Sequence, residues 1–353
     1  MKKKILVHMS TNGNTSNFGD VVFADMILRY LSQKGYSVSF YELSTYVENY
    51  LYDIKRLPHD RFSMDKADGL VYFAGGYFGE PKGIRYDSHY RHYKRFMPFG
   101  KEAVKKNKKL AVIGIGGGPY LWLPSRKVVK RVCAHSSCIT SRDEETAAYL
   151  KKLCPKAPVV VTTDIAQALD PSTLKTDEKL KLSPDNKYVY IHMSYKRDVG
   201  QKFAEALKPF LDNHPEVKVI AGADSLVNFS DSLEDVRGIL GADNVIHYTY
   251  TTPDNLISIL RQCDLIITYK LHVGIFSAAL GKSVIAFAKH EKIPRYYRQI
   301  NETGRCMMFD SASARDITVL IEQYFSKGIV LSDEIRRAAS ENWKVLDRFL
   351  DEL

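Results

Sequence analysis

Short apolar runs recur along the whole chain, and helical patterns separate them. Six lie in the first half, "KILVHMS", "SVSFYEL", "GLVYFAGG", "KLAVIGIG", "SCIT" and "PVVVT". Six more follow in the second half, "YVYIHMS", "VKVIAGA", "NVIHYT", "DLIIT", "KSVIAFA" and "CMMFD". Near-continuous runs of this length suit strands covered on both faces. The segments 21–34, 146–152, 200–212, 253–262 and 314–325 repeat apolar residues at helical spacing instead. Regular alternation of strand and helix restricts the chain to an α/β class, with parallel sheets and helices on both faces. A single core seldom grows past about 250–300 residues. With 353 residues, two domains are expected. The stretch 169–187, "LDPSTLKTDEKLKLSPDNK", is polar, holds two prolines and lacks a strand, and is the natural boundary. The reading is therefore two Rossmann-like, doubly wound domains facing across a cleft, 1–170 and 186–330. A final helix, 331–353, starts at Ser332 with Asp333 and Glu334 in its first turn and is expected to pack back on the first domain.

Composition narrows the class. Hydrophobic residues make up 45% and charged residues 26%, which is ordinary for a soluble globular chain. No run approaches the ~18 apolar residues of a membrane span. The start "MKKKILVHMS" reads as a first strand and not as a signal peptide, so a cytoplasmic location is expected. Five cysteines without a CxxC pair argue against a disulfide framework and a structural zinc site, and no metal is expected. The net charge of +10 fits nucleic acid, an anionic membrane surface or small anionic substrates. The densest basic block, 85–109, holds nine Lys/Arg against Asp87 and Glu102, with tyrosines interleaved. It reads either as a solvated helix face or as a surface that meets phosphates. No nucleic-acid-binding signature accompanies it, so nucleic acid is not expected as a partner.

In doubly wound sheets, ligands sit at the carboxyl ends of the strands. After "KILVHMS" comes "TNGNTSNFGD", where Asn17 and Asp20 flank a flexible turn that either holds an anion or merely caps a helix. It is neither a Walker A loop nor GxGxxG. Gly75-Gly76 and Gly116-Gly117-Gly118 end two strands, which suits close backbone approach to a ligand or a pair of tight turns. Ser141 and Glu144 have capping-box spacing, which would set Arg142 at the first helical position. An arginine there wants an anion, either a ligand's or that of Asp143, Glu144 or Asp164. In the second half, "CDLIIT" exits into Lys270, Leu271 and His272, and "KSVIAFA" exits into Lys289, His290, Glu291 and Lys292. Basic groups thus converge at two neighbouring strand ends.

From Asn17 to about Lys292 the chain resembles the polysaccharide pyruvyl transferases. The resemblance rests on "NFGD", "GIGGGP", "SRDEET", "TTDIA" and, most specifically, "CDLIITYKLHVGIFSAALGKSVIAF", in the family's order. Where the family has Arg-Leu-His, this chain has Lys270-Leu271-His272. The resemblance implies a two-domain fold similar to GT-B glycosyltransferases. It also implies transfer of the enolpyruvyl unit of phosphoenolpyruvate to two hydroxyls of a sugar, releasing phosphate, with no cofactor. His272 is then the candidate proton donor, with Arg142, Lys270 and Lys289 as cations for the anionic donor. Asp164 or Asp20 would take a sugar proton or orient Arg142, and Asn17, Gly116–Gly118, Leu271, His290 and Lys292 would line the substrates. The acceptor implied is a sugar or a lipid-linked oligosaccharide. This would bring 85–109 to the inner membrane face as a peripheral contact. The rivals are a nucleotide-sugar-dependent glycosyltransferase of the same shape, with Glu291 for the ribose, and a non-catalytic phosphate-binding protein that kept the fold.

Overall fold

The computed structural model of the protein describes residues 2–11, 15–79, 86–170 and 182–353. Most of the boundary expected at 169–187 lies outside the described residues, as does Arg85 of the basic block. The chain forms two compact units. Unit 1 takes the chain up to Ser16, Asp20–Ala168 and Arg336–Leu353. Unit 2 takes Asn17–Gly19 and the described part of Leu169–Ile335. Asn17 therefore clusters with unit 2, although a cut at 170 assigns it to the first domain.

Unit 1 holds β1 (Lys4–His8), α1 (Phe18–Gln33, apart from its first two residues), β2 (Ser37–Phe40), α2 (Thr45–Glu48) and β3 (Gly69–Phe73). It continues through α3 (Tyr86–Lys105), β4 (Leu110–Ile115), α4 (Leu123–His135), β5 (Cys138–Ser141), α5 (Glu144–Leu153) and β6 (Val159–Val161). Unit 2 holds β7 (Lys187–His192), α6 (Arg197–Asn213), β8 (Val217–Gly222), α7 (Ser230–Leu240), β9 (Val245–Tyr248) and α8 (Pro253–Gln262). It ends with β10 (Leu265–Thr268), α9 (Leu271–Ala279), β11 (Val284–Ala288), α10 (Lys292–Gln299), β12 (Cys306–Met308) and α11 (Ala314–Tyr324). The final helix is α12 (Asp333–Asp351).

Each unit is built on one six-stranded parallel sheet. The order is β2-β1-β3-β4-β5-β6 in unit 1 and β12-β11-β10-β7-β8-β9 in unit 2. Strand order reverses between β1 and β3, and between β7 and β10. The crossover helices diverge at such points and leave room for ligands at the carboxyl edge. The apolar runs behave as their composition requires: "GLVYF" of β3 and "VIAFA" of β11 are buried at every position. The segment "LHVGIFSAA" of α9 is apolar nearly all round, so it is a core helix rather than a surface one. Its one titratable residue, His272, stands in its first turn.

Helix starts follow cap chemistry. Thr252 caps α8 with Pro253 at the first helical position, and Ser313 and Asp316 form a capping box on α11. One expected start is displaced. Asp143, not Ser141, caps α5, its carboxylate accepting from Thr146 N at 2.7 Å. Ser141 ends β5 and donates to the carbonyl of Asp143 at 2.8 Å. A carboxylate at a helix N-terminus also meets the helix dipole, so the later cap wins. Arg142 consequently lies in the extended link before the helix and not at its first position.

The C-terminal helix docks on unit 1 through a buried asparagine. Asn342 accepts from Thr140 Oγ1 at 2.6 Å and Thr162 Oγ1 at 3.0 Å, and donates to the carbonyl of Thr163 at 3.0 Å. A fully satisfied buried amide ties α12 to the exits of β5 and β6. Among the described residues no helix is long and apolar enough to cross a membrane. The five cysteines are all free thiols.

Candidate active site

Unit 2 gathers charge at its point of strand reversal. β7 ends at His192, the chain after β8 reaches Asp224, and β10 exits through Tyr269 and Lys270. Asp224 is only 3% exposed in its side chain. Its Oδ1 lies 3.2 Å from Lys270 Nζ and 3.3 Å from His192 Nε2. Its Oδ2 accepts from Asn17 Nδ2 at 3.2 Å, and its carbonyl accepts from Phe18 N at 2.8 Å. Burial would raise the Asp224 pKa. The charges of Lys270 and His192, and their hydrogen bonds, outweigh burial and hold the carboxyl well below the usual carboxylate range. Burial lowers the His192 pKa, against the pull of Asp224. The Thr268 hydroxyl accepts from Lys270 N at 3.0 Å and lies 3.4 Å from His192 Nδ1.

The Asn17–Gly19 segment completes this group. Phe18 packs edge-on against Phe276 of α9, with centroids 4.9 Å apart. A Cβ on Gly19 would lie 2.0 Å from His272 Nδ1. The imidazole therefore occupies the space that only glycine leaves open. His272 is the second residue of α9, and Leu271 before it is buried in the core. Lys270 Nζ lies 5.9 Å and Lys289 Nζ 5.2 Å from the centroid of the Tyr269 ring, so two strand exits bring their ammoniums to one aromatic ring. Lys289 also sits 4.5 Å from the Phe309 ring. Burial lowers the Lys289 pKa, opposed by Asp198. His290 and Lys292 are exposed, in the turn after β11 and at the first position of α10.

Unit 1 carries a second polar group. The glycine-rich exits of β3 and β4 pair with each other: Gly116 N donates to the carbonyl of Gly75 at 2.8 Å, and Phe78 bridges to Gly117. A Cβ on Gly117 would meet the Phe78 carbonyl oxygen at 2.0 Å, so this glycine serves backbone pairing. A Cβ on Gly116 would meet Arg142 Nε at 2.3 Å, so the guanidinium lies on bare backbone. The space beside Gly118 is open. Arg142 Nη1 pairs with Asp164 Oδ2 at 3.4 Å, both side chains being buried. Asp164 Oδ1 accepts from Ala166 N at 3.1 Å. Burial raises the Asp164 pKa, with Arg142 opposing. Asp20, also in unit 1, supports the positive charge of Arg95.

The structure thus brings Asn17, Lys270, His272 and Lys289 together in unit 2, and Gly116, Arg142 and Asp164 together in unit 1. Sequence reasoning passed over His192, Asp224 and Tyr269. Two signals were available. The tripeptide His-Met-Ser closes the first strand of each sheet, at 8–10 and 192–194, and Asp224 directly follows the buried run "VKVIAGA". Among the described residues no cluster of His, Cys, Asp and Glu could hold a metal ion.

Comparison with solved structures places the fold first. S. aureus MnaA in complex with UDP superposes with a TM-score of 0.67 at 11% identity, covering 100% of this chain and 98% of that one. The UDP-GlcNAc 2-epimerase of Neisseria meningitidis, bound to UDP-GlcNAc, gives 0.67 at 12%, covering 98% and 100%. A glycosyltransferase from Rickettsia africae gives 0.57 at 15%, covering 99% and 94%. The fold is therefore of the GT-B kind, two Rossmann-like units, as expected. At such identities the likeness defines the fold alone. The family comes from the sequence. The profile of the polysaccharide pyruvyl transferases matches residues 17–291, and the chain belongs to that family. No curated protein sequence matches it.

Proposed function

We propose that this protein moves the three-carbon unit of phosphoenolpyruvate onto two hydroxyls of one sugar, as a ketal, and releases inorganic phosphate. The observation that carries this reading is the grouping of Lys270 and Lys289 around the Tyr269 ring; His272 follows two residues after Lys270, in the first turn of α9. Phosphoenolpyruvate is a small anion with a phosphate and a carboxylate. Two ammoniums on one ring and the first N–H groups of a core helix suit such an anion. Asp224 fixes Lys270 from below, and Gly19 leaves room for the ring of His272.

His272 gives a proton to the methylene carbon, which becomes a methyl, and C2 becomes electrophilic. One sugar hydroxyl adds to C2 and its proton returns to His272. The C2–O bond to phosphate breaks with its electron pair on phosphate, whose charge Lys270 and Lys289 hold. The second hydroxyl adds to C2, and its proton leaves on phosphate. In unit 1, Asp164 orients Arg142 through their buried ion pair. Incubation with phosphoenolpyruvate and a panel of sugar acceptors tests the reading by phosphate release and by the ketal methyl signal in NMR. His272→Ala should abolish both. Undiminished turnover in that variant would remove His272 as the acid.

A nucleotide-sugar glycosyltransferase remains the second reading, and one feature favours it. A cavity of about 350 Å³ at the exits of β8 and β9 is lined by Leu226, Phe229, His247 and Tyr250 among others, and suits a flat ring such as a nucleobase. Release of nucleotide from UDP-sugars, without turnover of phosphoenolpyruvate, would favour this second reading.

A further inference from the structure

The carboxyl edge of the unit 1 sheet carries a protrusion that the proposed chemistry does not use. The chain leaving β4 turns at Tyr120 before entering α4. Tyr120 is buried, and it is fixed three times: its hydroxyl donates to the carbonyl of Tyr77 at 2.8 Å, its N–H donates to Tyr149 Oη at 2.9 Å, and its hydroxyl lies 3.2 Å from His92 Nε2. The residues beside this anchor point the other way. Leu121 is 82% exposed and Leu123 60%. The ring of Trp122 sits between them and α3, edge-on to Tyr93 at 5.4 Å and to Tyr86 at 5.9 Å. Tyr86 is itself 65% exposed, and it stacks on the exposed Tyr90. Two aliphatic side chains are thus held out in water above an aromatic base, on a turn whose anchor is rigid. A solvated loop has no reason to do this.

The surroundings carry one sign of charge. Around the protrusion, 86–94 and 119–131 hold six cations, Arg91, Lys94, Arg126, Lys127, Lys130 and Arg131, against the single acid Asp87, a local excess of +5. All six are exposed. Lys94 Nζ stands 4.7 Å over the Tyr90 ring.

We propose that this surface docks the protein on an anionic phospholipid bilayer. In this arrangement Leu121 and Leu123 enter the acyl boundary, Trp122, Tyr86 and Tyr90 lie at the headgroup level, and the six cations meet lipid phosphates. Each layer matches its depth. Aliphatic tips favour hydrocarbon, amphipathic rings favour the interface, and Lys and Arg are drawn to an anionic surface. A nucleic acid would use the cations and rings and leave two exposed leucines unexplained. A protein interface would be depleted in lysine at its centre. The protrusion lies on the same sheet edge as Arg142 and Asp164, so a docked protein would meet lipid-linked acceptors with that edge. The proposal does not depend on pyruvyl transfer, because its test reads binding alone.

The test is co-sedimentation of the full chain with vesicles of phosphatidylglycerol and phosphatidylcholine, and with phosphatidylcholine alone. Binding to the anionic vesicles only, falling as salt rises, is expected. The double variant Leu121→Glu/Leu123→Glu changes two exposed positions, so it should fold normally and bind at least tenfold more weakly. A Trp343→Phe background leaves Trp122 as the sole tryptophan. Its fluorescence should be quenched by brominated phosphatidylglycerol. Equal binding to both vesicle types would overturn the proposal. So would unchanged binding by the double variant, unquenched Trp122 on bound protein, or a leucine-dependent self-association or RNA binding in place of vesicle binding.

Discussion

The same tripeptide, His-Met-Ser, ends the first strand of both sheets, and its two histidines have opposite neighbours. His8 is enclosed by rings: Phe99 at 5.0 Å, Tyr72 at 5.3 Å and Tyr41 at 5.4 Å between centroids. Among the described residues, neither of its ring nitrogens has a hydrogen-bond partner. Burial, reinforced by the charge of Arg95, pushes its pKa from 6.5 down to about 3. His192 is as deeply buried, yet it faces Asp224, Thr268 and the ammonium of Lys270 beyond. Strand position is equivalent in the two sheets. The adjacent exits differ: β3 and α3 bring aromatic rings to His8, whereas the chain after β8 and β10 brings a carboxylate and a lysine to His192. A strand end becomes a charged cluster through what the neighbouring strands supply.

Substitutions can break this contrast, the largest effect first. Asp224→Ala removes the buried partner of the half-exposed Lys270 and the acceptor of Asn17, and should destabilise the protein by about 1–3 kcal/mol. Denaturant unfolding checks this, and an unchanged midpoint would show that the pair carries no structural weight.

The next effect is read in acid. Between pH 6.5 and about 3 the unfolded chain binds a proton at His8 that the folded chain refuses. Stability from this group is therefore complete above pH 6.5 and is lost as the pH falls through that window. His192 is shifted the same way and adds to the slope. His8→Leu should flatten the acid limb and be neutral or stabilising at pH 7, whereas His192→Leu should destabilise at pH 7. Thermal melts across pH 4–8 separate them, and matching behaviour of the two variants would end the distinction.

Gly19→Ala and Gly116→Ala ask for a finer result. The new methyl would meet His272 in one case and Arg142 in the other. Displacement of a catalytic group by about 1 Å can cost on the order of 100-fold in rate. Gly19→Ala should approach that figure in phosphate release while the melting temperature changes little. The smallest effect is expected from Lys270→Arg, which keeps the charge and adds a planar fork. Turnover should stay within about tenfold, while Lys270→Met should be inactive. A comparable loss in both variants would mean that shape, not charge, matters at position 270.

Much of the fold was legible because buried parallel strands announce themselves as apolar runs. All twelve runs quoted above contain a strand. The start of α5 was misplaced because Ser141 and Asp143 are both good caps, and only the backbone chooses between them. At the candidate site, Lys270, His272 and Lys289 were readable as polar residues at the mouths of buried strands. Asp224 was not singled out, since one aspartate after a strand is an ordinary loop residue until its neighbours are known. The glycines were ambiguous in the same way. Gly117 is needed by the Phe78 carbonyl and Gly116 by Arg142.

The sequence by itself determined two parallel sheets, the residues at each strand exit and, through motifs in family order, membership of the polysaccharide pyruvyl transferases. Local periodicity carries that much because each strand and helix records its own burial. Only the tertiary structure decided which exits adjoin. It set β7 beside β10, so that His192, Asp224 and Lys270 share one place, and it gave Asn17 to unit 2 rather than unit 1. Strand order in a parallel sheet is settled by how crossover helices pack, and those long-range contacts leave no local period in the chain.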